Sequence, residues 1–120
     1  MSIKHSHEIP SEPLSVGEGV SRAILIFNQE APNFAMRKFT IRSGGSMPFH
    51  LNLVEHEQYV LKGRALIIID DSSYEVQPDD VVFIPANVPH SYLPLGEDDF
   101  EFLCLVPNKP DETVFVEGHE

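Results

Sequence analysis

A chain of 120 residues, 42% of them hydrophobic and 9% aromatic, has room for one core and not for two. Lys and Arg number 8 against 19 Asp and Glu, and the net charge of −11 argues against nucleic-acid phosphates and anionic membranes as partners. No apolar run is long enough to cross a bilayer or form a signal-peptide core, and the single Cys104 excludes an internal disulfide and a thiolate zinc ribbon, so a cytoplasmic protein is expected.

Residues 1–19 are rich in Ser, Pro and Gly with little periodicity and read as a loosely tied lead-in. His5 and His7 lie there without a third donor nearby and read as solvated terminal histidines. The single domain is expected over residues 20–116, with a short tail at 117–120. Residues 20–27, VSRAILIF, have the β-branched and aromatic content of a strand. Residues 34–42 alternate, placing Phe34, Met36, Lys38 and Thr40 on one face and Ala35, Arg37, Phe39 and Ile41 on the other.

Ser43, Gly44 and Gly45 read as a turn that permits positive φ. The parity of the strand that follows puts Pro48, His50 and Asn52 on one side, opposite Leu51 and Leu53. From His56 the run HEQYVLKGRALIIID is the longest strand signal in the chain, with Gly63 marking a bulge or bend. A polar turn at 70–73 leads into a hairpin with SYEV, and Pro78, Asp79 and Asp80 make the next turn, Asp79 being a residue type that tolerates the left-handed region. VVFIP is a buried strand leading to PANVPH, whose prolines stiffen the loop that presents His90. In the last core strand, FEFLCLVP, Glu101 takes the outward parity and leaves Phe102 and Cys104 facing the interior. No segment carries a 3.6-residue apolar period over three turns, and many short strands at regular turn intervals indicate an all-β sandwich or barrel.

Within this pattern His50, His56 and His90 are candidate ligands of one divalent metal, since neutral imidazole is a common donor to Mn, Fe, Zn, Cu and Ni. Their affinity is expected to fall as the rings protonate below about pH 6. Asn52 shares parity with His50 and has three open roles: coordinating the metal directly, holding a bound water, or capping a turn. Cys104, Phe102 and Tyr92 are candidate pocket-lining residues. Glu55 and Glu57 flank His56 but alternate off its face. Arg37, Arg42, Lys38 and Lys62 are available to an acidic substrate, although surface charge explains them equally. No general base is evident, and the catalytic residues stay unassigned.

Two spacings carry a resemblance. Gly44, His50, Asn52, His56 and Gly63 fall in register with the first motif of the cupins, and Asp79, Pro85, Asn87 and His90 with the second, Asp80 standing where cupins usually carry Asp. The chain resembles a small single-domain cupin over residues 34–107. More narrowly, APNFAMRKFT, EHEQYVLKG and FEFLCLVP resemble small bacterial cupins whose metal is held by four histidines; His56 matches the His that replaces the usual Glu, while Asn52 stands in place of the second His. The resemblance implies a jelly-roll (double-stranded β-helix) barrel, a metal in its mouth, a small-molecule substrate and a homodimer, the last also suggested by the apolar strand at 20–27. It implies an oxygenase, isomerase, lyase or cyclase, with an oxygenase preferred for an all-His site, or else a non-catalytic ligand binder or sensor whose metal is weak or structural.

Overall fold

The structure is a computed structural model and describes residues 1–116; the tail expected at 117–120 lies outside the described residues. Its strands are β1 (Glu12–Pro13), β2 (Glu18–Ile26), β3 (Phe34–Asn52), β4 (His56–Lys62), β5 (Arg64–Ile69), β6 (Ser72–Val76), β7 (Val81–Ile84), β8 (His90–Leu95), β9 (Phe100–Pro107) and β10 (Thr113–Phe115). A 3-10 turn at Ser6–Glu8 is the only helical element among the described residues, so none is long and apolar enough to cross a membrane. All the strand pairings are antiparallel, and the sheet curls in the order β6-β5-β8-β3-β9-β4-β7, with β1 and β10 added through β2 and β3. This is the all-β architecture expected from the strand pattern, in the jelly-roll form that the cupin resemblance implied.

One strand joins the two halves of the curl. The first half of β3 pairs with β2 and β9, and its second half turns away to pair with β8 and β10. The corner is Ser43, Gly44 and Gly45, expected as a turn and found inside a continuous strand. Gly44 has φ +82°, and a Cβ on Gly45 would stand 2.2 Å from the Glu18 carbonyl oxygen, so only glycine lets β2 pass there. Gly63 does the corresponding work on the other wall. The run from His56, expected as one long strand, divides there: β4 pairs with β7 and β9, whereas β5 pairs with β6 and β8.

Core packing follows the alternation of the strands. Val20, Ile41, Val60, Ala65, Ile67, Ile84, Phe100 and Phe102 are buried in one cluster around Tyr92 and Cys104. The lead-in is less loose than its composition suggests: Leu14 packs against this cluster, and its N–H donates to the Val20 carbonyl at 2.9 Å. Asp79 and Asn87, at the two positions where the cupin motif has glycine, adopt φ +76° and +67°, which Asp and Asn tolerate better than other side chains.

Candidate metal centre

Three strands deliver the histidines to one place. His50 on β3 stands directly opposite His90 on β8, and their ring centroids are 4.3 Å apart. His56, the first residue of β4, places its ring 6.0 Å from that of His90. All three rings line a cavity of about 270 Å3 together with Asn52, Tyr92, Phe102 and Cys104. The strand parity needs one correction. A bulge between Met47 and His50 shifts the register, so Met47 lines the cavity while Pro48 is exposed on the other side.

Backbone carbonyls orient two of the rings. Nδ1 of His50 lies 2.7 Å from the Pro48 carbonyl oxygen and Nδ1 of His90 lies 3.0 Å from that of Val88. With Nδ1–H donating in each, the lone pair of the neutral ring is on Nε2, the tautomer a metal requires. His56 is oriented by sulfur instead, its Nδ1 lying 3.1 Å from the Cys104 Sγ. Its Nε2 is buried and has no hydrogen-bond partner. A buried nitrogen without a partner costs about 1–3 kcal/mol, so a group that accepts that lone pair would be stabilised on entering the cavity.

Burial holds these rings neutral. It pushes His56 down to about 3, helped by the positive charge of Arg37 and by the other two rings, and pushes His90 down to about 4, helped by His50. His50 is also lowered by burial, against the opposing pull of its Pro48 bond and of Asp111. In the folded, metal-free chain these rings therefore take up protons at lower pH than a free imidazole does.

The other candidate residues are placed as follows. Asn52 lines the cavity, but its Nδ2 donates to Thr113 Oγ1 at 3.0 Å and to Asp111 Oδ2 at 3.3 Å, tying the C-terminal strand to β3. Cys104 is fully buried, and burial raises its thiol pKa. Tyr92 is also raised by burial, and its hydroxyl accepts a 2.7 Å bond from Gln58 Nε2. Glu55 is exposed and Glu57 half-buried, and neither lines the cavity. Gln58 was legible as a cavity residue, since it shares parity with His56. Asp111 and Thr113 had no local signal, because they reach the cavity from a tail that pairs with β3 only in the folded chain.

The donor set fits a divalent metal in its chemistry: three neutral imidazoles, two with Nε2 set by tautomer and one with Nε2 buried and unsatisfied. Among the described residues, however, no three His, Cys, Asp or Glu side chains already stand in a metal-holding arrangement, so ligation requires the rings to adjust.

The sequence profile of the cupin domain matches residues 37–106, more than half of the chain. The chain belongs to the cupin family. This cupin is 34% identical over 65 residues to an uncharacterized protein of Methanocaldococcus jannaschii, a match covering 52% of each, so it spans about half the length of that curated relative. Among solved structures it is similar to the polyketide cyclase RemF of Streptomyces resistomycificus, with a TM-score of 0.86 and 27% identity over 98% of this chain and 87% of RemF. It is also similar to a cupin 2 domain-containing protein of Halorhodospira halophila, with a TM-score of 0.77 and 28% identity over 83% of this chain and 72% of that one. A cupin 2 conserved barrel domain protein of Rhodopseudomonas palustris, at 21% identity and a TM-score of 0.82 over 89% of this chain and 77% of the other, shares the fold.

Proposed function

We propose that this cupin binds one divalent metal through His50, His56 and His90 and is a metal-dependent enzyme acting on a small carbonyl compound. The observation that carries this is the buried, partnerless Nε2 of His56 beside two rings whose own Nε2 lone pairs are set by backbone bonds. When bound, a divalent ion supplies Lewis acidity that polarises a carbonyl or steadies an enolate oxygen. Among the reaction classes expected from the resemblance, the likeness to a polyketide cyclase supports carbonyl and enolate chemistry over oxygenation.

The chain's own residues do the rest. Phe102 stacks on Phe39 at 5.4 Å and on Tyr92 at 5.2 Å, making an aromatic wall against which a flat substrate lies. Burial keeps the Tyr92 phenol protonated through neutral pH, so it is suited to donate a proton and not to remove one. Asp111 is the one carboxylate on the wall among the described residues, and its oxygens already accept from Leu53 N at 2.8 Å and from Asn52. The test is elemental analysis of untagged protein, with expected uptake of one divalent ion per chain at pH 7.5, loss on chelation, and turnover that disappears with the metal. Protein that takes up no divalent ion at that pH overturns the proposal.

A second reading is a non-catalytic binder of a small ligand. It is favoured by the lack of a ready metal-holding arrangement among the described residues and by the engagement of Asn52 with the C-terminal strand. Ligand-induced stabilisation without turnover, in the metal-loaded protein, selects it.

A homodimer is part of the proposal. On its outer edge β2 is paired by β1 at Ser21 and Arg22, its Val20 carbonyl accepts from Leu14 N and its Leu25 carbonyl from Lys4 Nζ, each at 2.9 Å, and the rest of that edge is open to a second copy. Sedimentation at micromolar concentration is expected to show a dimer that dissociates when residues 1–27 are removed, and a monomeric full chain excludes it.

A further inference from the structure

Two arginines line the same cavity, and among the described residues neither forms an ion pair, although Glu12 on β1 stands across the strand pair from Arg22. Arg37 lies on β3 and Arg22 on the neighbouring β2, and both reach the cavity wall. The chain carries 19 acidic residues against 8 basic ones, yet among the described residues the ion pairs are Lys4 with Glu30 and Arg64 with Glu75. Among the described residues Arg37 makes one polar bond, from Nη2 to the Cys104 sulfur at 3.4 Å, and its Nε–H is buried without an acceptor. A guanidinium with five donors therefore has one buried donor unmatched and no carboxylate bound, in a protein with acid to spare.

The nearby charges sharpen this. Arg22 and Arg37 repel each other, and burial followed by that repulsion weakens the protonated form of Arg22, with Glu12 on β1 partly opposing. Asp111, the carboxylate on the cavity wall among the described residues, is engaged by the Leu53 N–H and by Asn52 and forms no ion pair with either arginine. Two like charges side by side on a partly buried wall repel each other in the empty cavity, and an anion that enters between them relieves that repulsion. The guanidinium of Arg37 also lies 5.0 Å above the Phe39 ring, at one end of the aromatic wall that runs through Phe102 to Tyr92.

We propose that Arg37, assisted by Arg22, is the anion-recognising subsite of this cavity, and that the ligand is a small flat acid: an aromatic or conjugated ring bearing a carboxylate. The ring lies on the aromatic wall and the carboxylate takes the fork of the guanidinium, the geometry for which arginine is better suited than lysine. A cavity of about 270 Å3 holds a compact ligand of one or two rings. The proposal rests on the cavity being the ligand site, as above, and adds the charge and shape of what it takes.

Benzoate and its neutral isostere benzamide test this by calorimetric or NMR titration of the full chain, first in EDTA and then loaded with Zn2+. In the metal-free protein benzoate is expected to bind about 10-fold or more tightly than benzamide. Arg37→Gln is expected to remove that preference and leave benzamide affinity within about 2-fold, and Arg22→Gln to reduce it less, both variants keeping the wild-type far-UV spectrum. Arg37→Lys restores charge without the fork and is expected to recover part of the preference. Equal binding of the two probes by wild type, or a benzoate preference that survives in Arg37→Gln and Arg22→Gln, overturns the assignment. A preference found only with Zn2+ and unchanged in both variants also overturns it, because the metal then holds the carboxylate. Failure of Zn2+ uptake with the arginine-dependent preference intact leaves this subsite standing and removes the metal proposal.

Discussion

Nδ1 of His56 lies 3.1 Å from Sγ of Cys104, and both residues are buried. Metal ligation through His56 Nε2 would require that Nδ1 carry the proton and donate it to sulfur, and Cys104 would then act on the proposed site by setting the tautomer of its neighbour. Replacing Cys104 with Ala is expected to lower divalent affinity by about 10-fold or more in a chelator-competition titration. Unchanged affinity in a folded variant shows that sulfur does not orient the ring. Because the thiol is fully buried and its pKa is raised, it is also expected to resist thiol reagents until the protein is denatured.

The lowered histidines make the metal-free protein sensitive to acid. In the unfolded chain these imidazoles titrate near 6.5, whereas folding holds His56 down to about 3 and His90 down to about 4, with His50 shifted the same way. Between those values the unfolded state binds more protons, so the stabilisation is full above about pH 6.5 and is lost as pH falls toward the folded values, at up to about 1.4 kcal/mol per ring per pH unit. Glu57, pushed up to about 7 by burial and by its bond to Glu55, runs the other way, its contribution fading as pH rises; its exposure makes it small. We expect the melting temperature in EDTA to fall steadily from pH 7 to pH 4. A flat profile over that range contradicts neutral buried rings.

Gly63 links β4 to β5 at φ +77°, and a Cβ there would stand 2.3 Å from the Asp99 carbonyl oxygen. Gly63→Ala is expected to cost at least about 2 kcal/mol in urea unfolding, since both the left-handed backbone and a fixed carbonyl oppose it. Asn87→Gly makes the contrast. That residue already sits at φ +67°, so glycine relieves strain and stability is expected to stay within about 1 kcal/mol of wild type. Equal losses in the two variants would sink the argument.

Asn52→His offers a fourth ring on the face of His50 and releases the bonds to Asp111 and Thr113. Divalent affinity is expected to rise by about 10-fold, while amide exchange at residues 113–116 accelerates. If neither the affinity nor the spectrum of bound Co2+ changes, Asn52 does not face the metal.

What the sequence determined by itself is local. Strand alternation placed Phe102 and Cys104 inside and Glu101 on the outward parity, and residue type anticipated the left-handed Asp79. The two motif spacings picked out His50, His56 and His90, which the folded chain brings together. The tertiary structure decided what depends on distant partners. The bulge that puts Met47 and not Pro48 on the cavity wall exists because β3 must match β8 while turning away from β2, and a period of two cannot register that. The division at Gly63 depends on which strands each half finds, and the approach of Asp111 and Thr113 to Asn52 depends on a tail returning across the cavity mouth. Arg37 reads as ordinary surface charge in sequence, because nothing local reports that its Nε–H will be buried without an acceptor. Burial and loss of water are properties of the curled sheet, and they hold His56 and His90 neutral and leave the Arg37 Nε–H without an acceptor.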